Sequence, residues 1–256
     1  MYIDTHCHLN DQKFDNVDQV VLDYLNQNVS YVINMGCELN SSIMGLEFSK
    51  KYPSVYFGCG FHPSDVDKFD KNSLTTLEKL TYDSKCVAIG EIGLDYYWVK
   101  DNAEKQKKVF LSQLELAKAV KLPVSIHSRD ATGDMLKILK ENKNLLEYGA
   151  VMHCFSGSLE TAKELIDLGV YISFGGTITF KNATNLKEVA KSIPLEYILT
   201  ETDSPYLSPE PFRGTINQPK NVKLVTEYLA FLRQMPIEEV AVEVLSNAKK
   251  VFKKII

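Results

Sequence analysis

The sequence predicts a single (β/α)8 TIM barrel, regular or somewhat distorted, with two extra C-terminal helices and one domain over residues 1–256. Three observations predict it. Eight short apolar runs alternate with longer amphipathic segments along the whole chain. The 256 residues match the length such a barrel needs, about 250. No Gly-rich dinucleotide fingerprint follows the first run, which weakens the rival doubly wound sheet.

The strand-like runs fall at residues 2–5, 31–35, 55–60, 86–91, 124–127, 150–154, 170–174 and 197–202. Their near-continuous apolar character suits strands covered on both faces. Between them, residues 16–28 open on Asn16 and carry Val17, Val20, Val21, Tyr24 and Leu25 on one helical face. Residues 102–121 place Val109, Phe110, Leu114, Leu116, Ala117 and Val120 at helical spacing. Residues 158–168 and 182–192 repeat the pattern behind capping-type residues, and 219–232 and 237–256 read as terminal helices. The Pro-rich stretch 204–219 reads as a long functional loop after the eighth run.

Composition bounds the function. A hydrophobic fraction of 45% and a charged fraction of 24% suit a globular chain with a sizeable core. A net charge of −4 argues against wrapping nucleic acid by bulk electrostatics, though a local basic patch fits. No apolar run reaches the ~18 residues of a membrane span. The chain enters its first strand at residue 2 with no basic-then-apolar leader, so the expectation is a cytoplasmic protein with no membrane partner. A monomer is the default. Cys7, Cys37, Cys59, Cys86 and Cys154 are odd in number and show no CxxC spacing, so buried, reduced thiols without chemistry are expected.

The chemistry collects at strand ends. His6 and His8 close the first strand at i, i+2, so both imidazoles point the same way, about 6–7 Å apart along the strand. His62 follows strand three, Glu91 ends strand four, His127 ends strand five, His153 ends strand six and Asp203 ends strand eight. All five histidines therefore lie at C-terminal strand ends, the rim where barrel enzymes place their catalytic groups. No serine sits on a nucleophile elbow. Imidazoles and carboxylates without thiolates suit Zn²⁺, Mn²⁺, Ni²⁺ or Mg²⁺. His6, His8, Glu91, His127, His153 and Asp203 are too many for one catalytic ion, and they suit two ions about 3.5–4 Å apart with a bridging carboxylate. Hydrolysis is the implied reaction class.

Seven motifs then occur in order over the full length: IDTHCHLN, GFHP, GEIGLDYY, IHSRDA, HCFSG, SFGGTITF and ETDSPYLSPEPFRGTINQP, with SNAKKVF closing the chain. On these the sequence resembles the TatD family of metal-dependent deoxyribonucleases, within the wider amidohydrolase-like barrels. The resemblance implies that His6 and His8 hold a first ion with Asp203, that His127 and His153 hold a second, and that Glu91 bridges them. Many barrels of the wider group bridge with a carboxylated lysine on the fourth strand; Glu91 stands there in this chain.

The resemblance also implies DNA as substrate, single-stranded or at 3′ ends, with phosphodiester hydrolysis as 3′-to-5′ exonuclease or general DNase activity. Glu91 and Asp203 are the expected catalytic carboxylates, Asp203 taking or orienting the proton of the attacking water. Arg129 and Arg213 are expected to contact phosphate, although Thr215 and Ile216 stand where family members often carry further basic residues. Tyr96, Tyr97, Trp98, Phe180 and Tyr206 follow strand ends and could stack bases. His62 is not needed as a ligand and is assigned to positioning phosphate or water. Glu201 reads as a carboxylate supporting the site from deeper in the core. Asp95 and Asp130 read as loop caps. The alternatives are a dimetal hydrolase of small esters, lactones or amides, and a non-catalytic metal-dependent scaffold in DNA repair or degradation.

Overall fold

The computed structural model describes residues 1–98 and 101–256. Eight strands form one parallel sheet in sequence order: β1 (Tyr2–Cys7), β2 (Val29–Met35), β3 (Val55–Cys59), β4 (Cys86–Asp95), β5 (Val124–Arg129), β6 (Ala150–Met152), β7 (Val170–Phe174) and β8 (Ile198–Thr200). The helices between them are α1 (Val17–Asn26), α2 (Leu39–Lys51), α3 (Ser73–Thr81), α4 (Ala103–Val120), α5 (Thr132–Glu141), α6 (Leu159–Asp167), α7 (Thr184–Ser192) and α8 (Val222–Arg233), followed by α9 (Ile237–Val251). This is the (β/α)8 barrel that the alternation predicts. Of the two C-terminal helices, α8 takes the eighth place of the alternation and α9 lies outside it.

Three helices, α2, α3 and α5, escape the apolar-period reading. In α2 the reason is visible: its buried face is Ser41, Ser42, Gly45 and Ser49, while Ile43 and Met44 are exposed. The barrel approaches this helix so closely that a Cβ on Gly45 would meet Phe57 and Asn34 at 3.1 Å. Close approach selects small residues, and small residues erase the hydrophobic period. A capping box starts α2 nonetheless, with Ser41 N–H donating to the Glu38 carboxylate and Glu38 N–H to Ser41 Oγ.

Several strand ends shift from expectation, and three of the shifts concern the site. Strand β4 runs on to Asp95, all ten residues buried, because Leu94 and Asp95 still pair with Ser128 and Arg129. Glu91 is therefore inside the strand and not at its end. Strands β6 and β8 instead stop early, and Cys154 (φ 43°) and Asp203 (φ 54°) turn the chain into left-handed backbone.

The barrel closes by a different device from the other seven junctions. Between β8 and β1 the only ladder contact among the described residues is one parallel bridge, Cys7 to Ser204. Asp203 N–H donates to His6 O at 2.9 Å, and His8 N–H to Ser204 O at 2.8 Å. Below them the fully buried Asp4 carboxylate does what a ladder would do. Its Oδ1 accepts from Thr202 N at 2.9 Å and from His6 N at 3.2 Å, and its Oδ2 accepts from Thr202 Oγ1 at 2.5 Å. Burial pushes the Asp4 pKa well above the usual carboxylate range, against the pull of the Thr202 bonds. Sequence reading did not single out Asp4, since an acid beside an HxH motif resembles any loop-proximal carboxylate.

Asp4→Ala strips the acceptor from two backbone N–H groups and a hydroxyl in a closed seam. It should lower the unfolding free energy by about 2–4 kcal/mol in urea titration, with Asp4→Asn losing less. Equal stability of Asp4→Ala and wild type would mean that the seam is held by the bridge alone.

Candidate metal centre

All seven strand-end groups named from the sequence converge at the C-terminal mouth of the barrel. His6 and His8 do share a face, and their Nε2 atoms come to 3.3 Å of one another. That is closer than strand spacing alone predicts, in a stretch where the β1–β2 register shifts between Asp4 and Cys7. Asp203 Oδ1 lies 3.3 Å from His8 Nε2 and 3.9 Å from His6 Nε2. Glu91 Oε2 completes this first set at 3.4 Å from His6 and 3.5 Å from His8.

The second set forms on the other oxygen of the same carboxylate. Glu91 Oε1 is 2.9 Å from His127 Nδ1 and 2.8 Å from His153 Nε2, and those two nitrogens are 3.2 Å apart. A tetrahedral ion with ligands at about 2.0–2.2 Å separates adjacent donors by about 3.3–3.6 Å. Both sets could therefore hold an ion with small adjustments, and Glu91 turns one oxygen to each.

Glycines allow this convergence. In Gly90-Glu91-Ile92-Gly93, a Cβ at Gly90 would meet Ser125 Cβ at 2.7 Å, and one at Gly93 would fall 1.9 Å from the carbonyl oxygen of His127. Gly93 also has φ 147°. Only glycine lets β4 press this tightly on β5 and bring Glu91 to His127. The Gly90–Glu91 peptide is cis.

The outward-facing nitrogens test whether these residues suit a metal. His8 Nδ1 is 3.1 Å from Met35 O, which can only accept, so Nδ1 carries the proton and Nε2 is left with its lone pair. His127 Nε2 sits 3.0 Å from Asp95 Oδ2, which leaves Nδ1 as donor atom toward Glu91. His6 Nδ1 meets Ser125 Oγ at 3.3 Å, and His153 Nδ1 faces Glu201 Oε1 at 3.4 Å, in ion-pair range but off hydrogen-bond alignment. Each of the four rings thus has a partner behind it and a free nitrogen in front, the arrangement that orients metal-ligating histidines.

Electrostatics agree. Although burial pushes Glu91 up, the surrounding histidines, His153 first, hold its pKa well below the usual carboxylate range. Asp203 is likewise held down against burial, chiefly by His8. Burial favours neutral His153, yet Glu91 and Glu201 raise its proton affinity well above normal. Two carboxylates and a set of imidazoles closed in this way fit a divalent cation.

His62 differs. Its Nδ1 accepts from Ser64 N–H at 3.1 Å, so the neutral ring carries its proton on Nε2, which points at Glu91 Oε1 from 3.5 Å. Burial, outweighing Glu91, lowers its pKa to about 4. The ring is thus a neutral donor facing the site, where the other four present lone pairs.

Asp95 caps its loop as expected, accepting from Tyr97 N and Trp98 N at 2.9 Å each. Its second oxygen, which orients His127, was missed. Glu201 sits beneath His153 as expected, accepting from Cys154 N at 2.5 Å and Ser173 Oγ at 2.6 Å. The site opens into a cleft of about 960 Å³ lined on its rim by Trp98, Arg129, Phe180 and Tyr206. The Arg129 guanidinium lies over the Tyr97 ring at 4.0 Å and Trp98 at 5.4 Å, and Arg213 lies over Phe180 at 4.3 Å, outside the cleft lining. Tyr96 is not among the cleft-lining residues, and its hydroxyl donates to Asp134 Oδ2 at 2.8 Å.

Asp95→Asn keeps an oxygen for the loop while losing the carboxylate behind His127. Metal affinity at the second set should fall about 10–100-fold with the first set unchanged, read by calorimetric titration of metal-free protein. Equal weakening of both sets would assign Asp95 a general structural role instead.

Comparison with known proteins follows the same lines. Residues 3–253 match the sequence profile of the family described as TatD related DNase. A Bacillus subtilis (strain 168) protein named uncharacterized metal-dependent hydrolase YabD is 42% identical over 254 residues, covering 99% of both chains. Escherichia coli (strain K12) YcfH, of the same description, is 37% identical over 98% of this chain and 95% of its own. The crystal structure of YJJV, a TatD homologue from Escherichia coli K12, matches with a TM-score of 0.92 at 33% identity over 98% of both chains. A profile match of this extent, with full-length relatives carrying the same fold, makes the chain a member of the TatD-related DNase family.

Proposed function

We propose that the metal-dependent hydrolase chemistry of this family acts here on DNA phosphodiesters, removing nucleotides from a 3′ end. The observation that carries this reading is the pair of donor sets sharing one carboxylate at the floor of a cleft whose rim bears Arg129. His6, His8 and Asp203 would hold a first divalent ion and His127 and His153 a second, with Glu91 common to both. Such ions, when bound, supply a nucleophile at neutral pH and polarise the phosphoryl oxygens.

The remaining steps belong to the protein. Asp203 turns Oδ1 toward His6 and His8, while Oδ2 has no hydrogen-bond partner among the described residues, leaving it to orient the proton of the attacking water. His62, fixed as a neutral Nε2–H donor, hydrogen-bonds a non-bridging phosphate oxygen as charge develops there. Arg129 makes no ion pair among the described residues, so its donors are free for the next phosphate while the ring of Tyr97 supports its flat face. Trp98 is 67% exposed at the same rim, a surface for an unpaired base. These contacts suit a single strand better than a rigid duplex.

Incubation of chelator-stripped protein with 3′-labelled single-stranded and duplex DNA tests the reading, with Mg²⁺, Mn²⁺ or Zn²⁺ added back singly. Stepwise shortening of the single strand is expected, restored by metal and lost in Asp203→Ala and Glu91→Ala. Metal-bound protein that leaves DNA intact but cleaves small esters or lactones would transfer the site to those substrates. His62→Ala should bind metal as wild type does and lose about 10²-fold or more in turnover. Loss of metal in that variant would make His62 a ligand.

A further inference from the structure

A thiol stands beside the first set. Cys37 lies between β2 and α2, and its backbone is held on both sides: its N–H donates to Ser41 Oγ at 2.8 Å, and its carbonyl accepts from His62 N at 2.9 Å. Its thiol reaches into the metal cleft. Sγ is 3.8 Å from Glu91 Oε2, to which it donates, and 3.8 Å from His8 Nδ1. His8 and Glu91 are 7% and 4% exposed; the thiol meets Glu91 on the oxygen that faces the first set, and His8 on Nδ1, behind the Nε2 that faces that set. The other thiols are placed differently. Cys7 points away from the site to Ile33 O, and Cys59 and Cys86 are buried against each other. Cys154 lines the cleft but belongs to no cluster of metal-type donors among the described residues.

On the reading that the first set holds a divalent ion, we propose that Cys37 is its soft donor, engaging thiophilic ions such as Zn²⁺ and Cd²⁺ alongside Glu91 Oε2 and His8 Nε2 while leaving Mg²⁺ and Mn²⁺ to the nitrogen and oxygen ligands. An S to O separation near 3.5 Å is about what a tetrahedral ion with one thiolate and one carboxylate requires, so a small side-chain rotation suffices. On binding, the Sγ–H bond breaks, its proton leaves to solvent, and the sulfur lone pair forms the bond to the ion. Thiolate favours soft ions and contributes little to hard ones. The residue thereby gives the site a metal preference that imidazoles and carboxylates alone would not confer.

Cd²⁺ titration of the chelator-stripped full-length protein tests this, followed by ultraviolet absorption, with Mn²⁺ binding measured in parallel. The expected result is a thiolate-to-metal charge-transfer band saturating at one ion per chain, absent in Cys37→Ser and Cys37→Ala and retained in Cys154→Ser. Cd²⁺ affinity should fall at least about tenfold in the Cys37 variants with Mn²⁺ affinity unchanged, which also shows that they fold. A band that survives in Cys37→Ser, or no band in wild type that binds Mn²⁺ normally, overturns the role of Cys37 and leaves the metal centre standing. Failure of wild type to bind either ion overturns both.

Discussion

Every histidine in this protein has a ring nitrogen within 3.5 Å of an oxygen of Glu91. No lysine or arginine among the described residues pairs with that carboxylate or with Asp203. A buried carboxylate costs several kcal/mol in desolvation unless positive charge stands beside it. The histidines meet that requirement by attracting positive charge: Glu91 and Glu201 raise the proton affinity of His153, and a divalent cation would answer the same demand. That requirement explains what surrounds it. Met35 O, Asp95, Ser125 and Glu201 each face the back of one ring, and only with those partners do four lone pairs converge.

The same requirement shapes the backbone. Glu91 reaches His127 only if β4 is pressed against β5, and glycine at 90 and 93 allows that. His6 comes from the first strand and Asp203 from the turn just after the last, so the first donor set exists only when the barrel closes. Closure there rests on Asp4, whose carboxylate ties Thr202 to the backbone of His6. The seam and the site share residues, so stability and chemistry are not separable along it. A change at Asp4 moves His6 and Asp203 together.

What was legible from the sequence was what periodicity controls. Strand alternation puts i and i+2 on one face, which locates His6 and His8. Parallel barrels gather C-terminal strand ends, which gathers His127, His153 and Asp203 with them. The arrangement around these residues was less legible because it depends on distances across the barrel. Asp95 reads as a loop cap because one of its oxygens is one; that its other oxygen meets His127 follows from the β4–β5 register, which runs two residues past the apolar run. Cys37 reads as a buried thiol for the same reason. Its meeting with Glu91 depends on how the β2 loop is held by Ser41 and His62. Helix α2 was missed because tight packing selects serine and glycine on the buried face.

The balance of charge bears on how a strand would be held. With a net charge of −4, the chain as a whole carries no excess of positive charge whose counterion release could grip a duplex. Affinity on the proposed reading must come from few contacts of high local value: ions at the floor, Arg129 on its aromatic platform, and exposed ring faces at the rim. Guanidinium stacked on tyrosine and tryptophan has lost much of its conformational freedom before a phosphate arrives, so each contact costs less ordering entropy. A grip spanning only a nucleotide or two is sufficient for a free end, which can enter a closed barrel mouth. It is insufficient for the interior of a duplex, which would have to be bent and unpaired at the protein's expense. The proposed end-directed cleavage suits that economy of contacts, with no need for a dedicated reader of sequence.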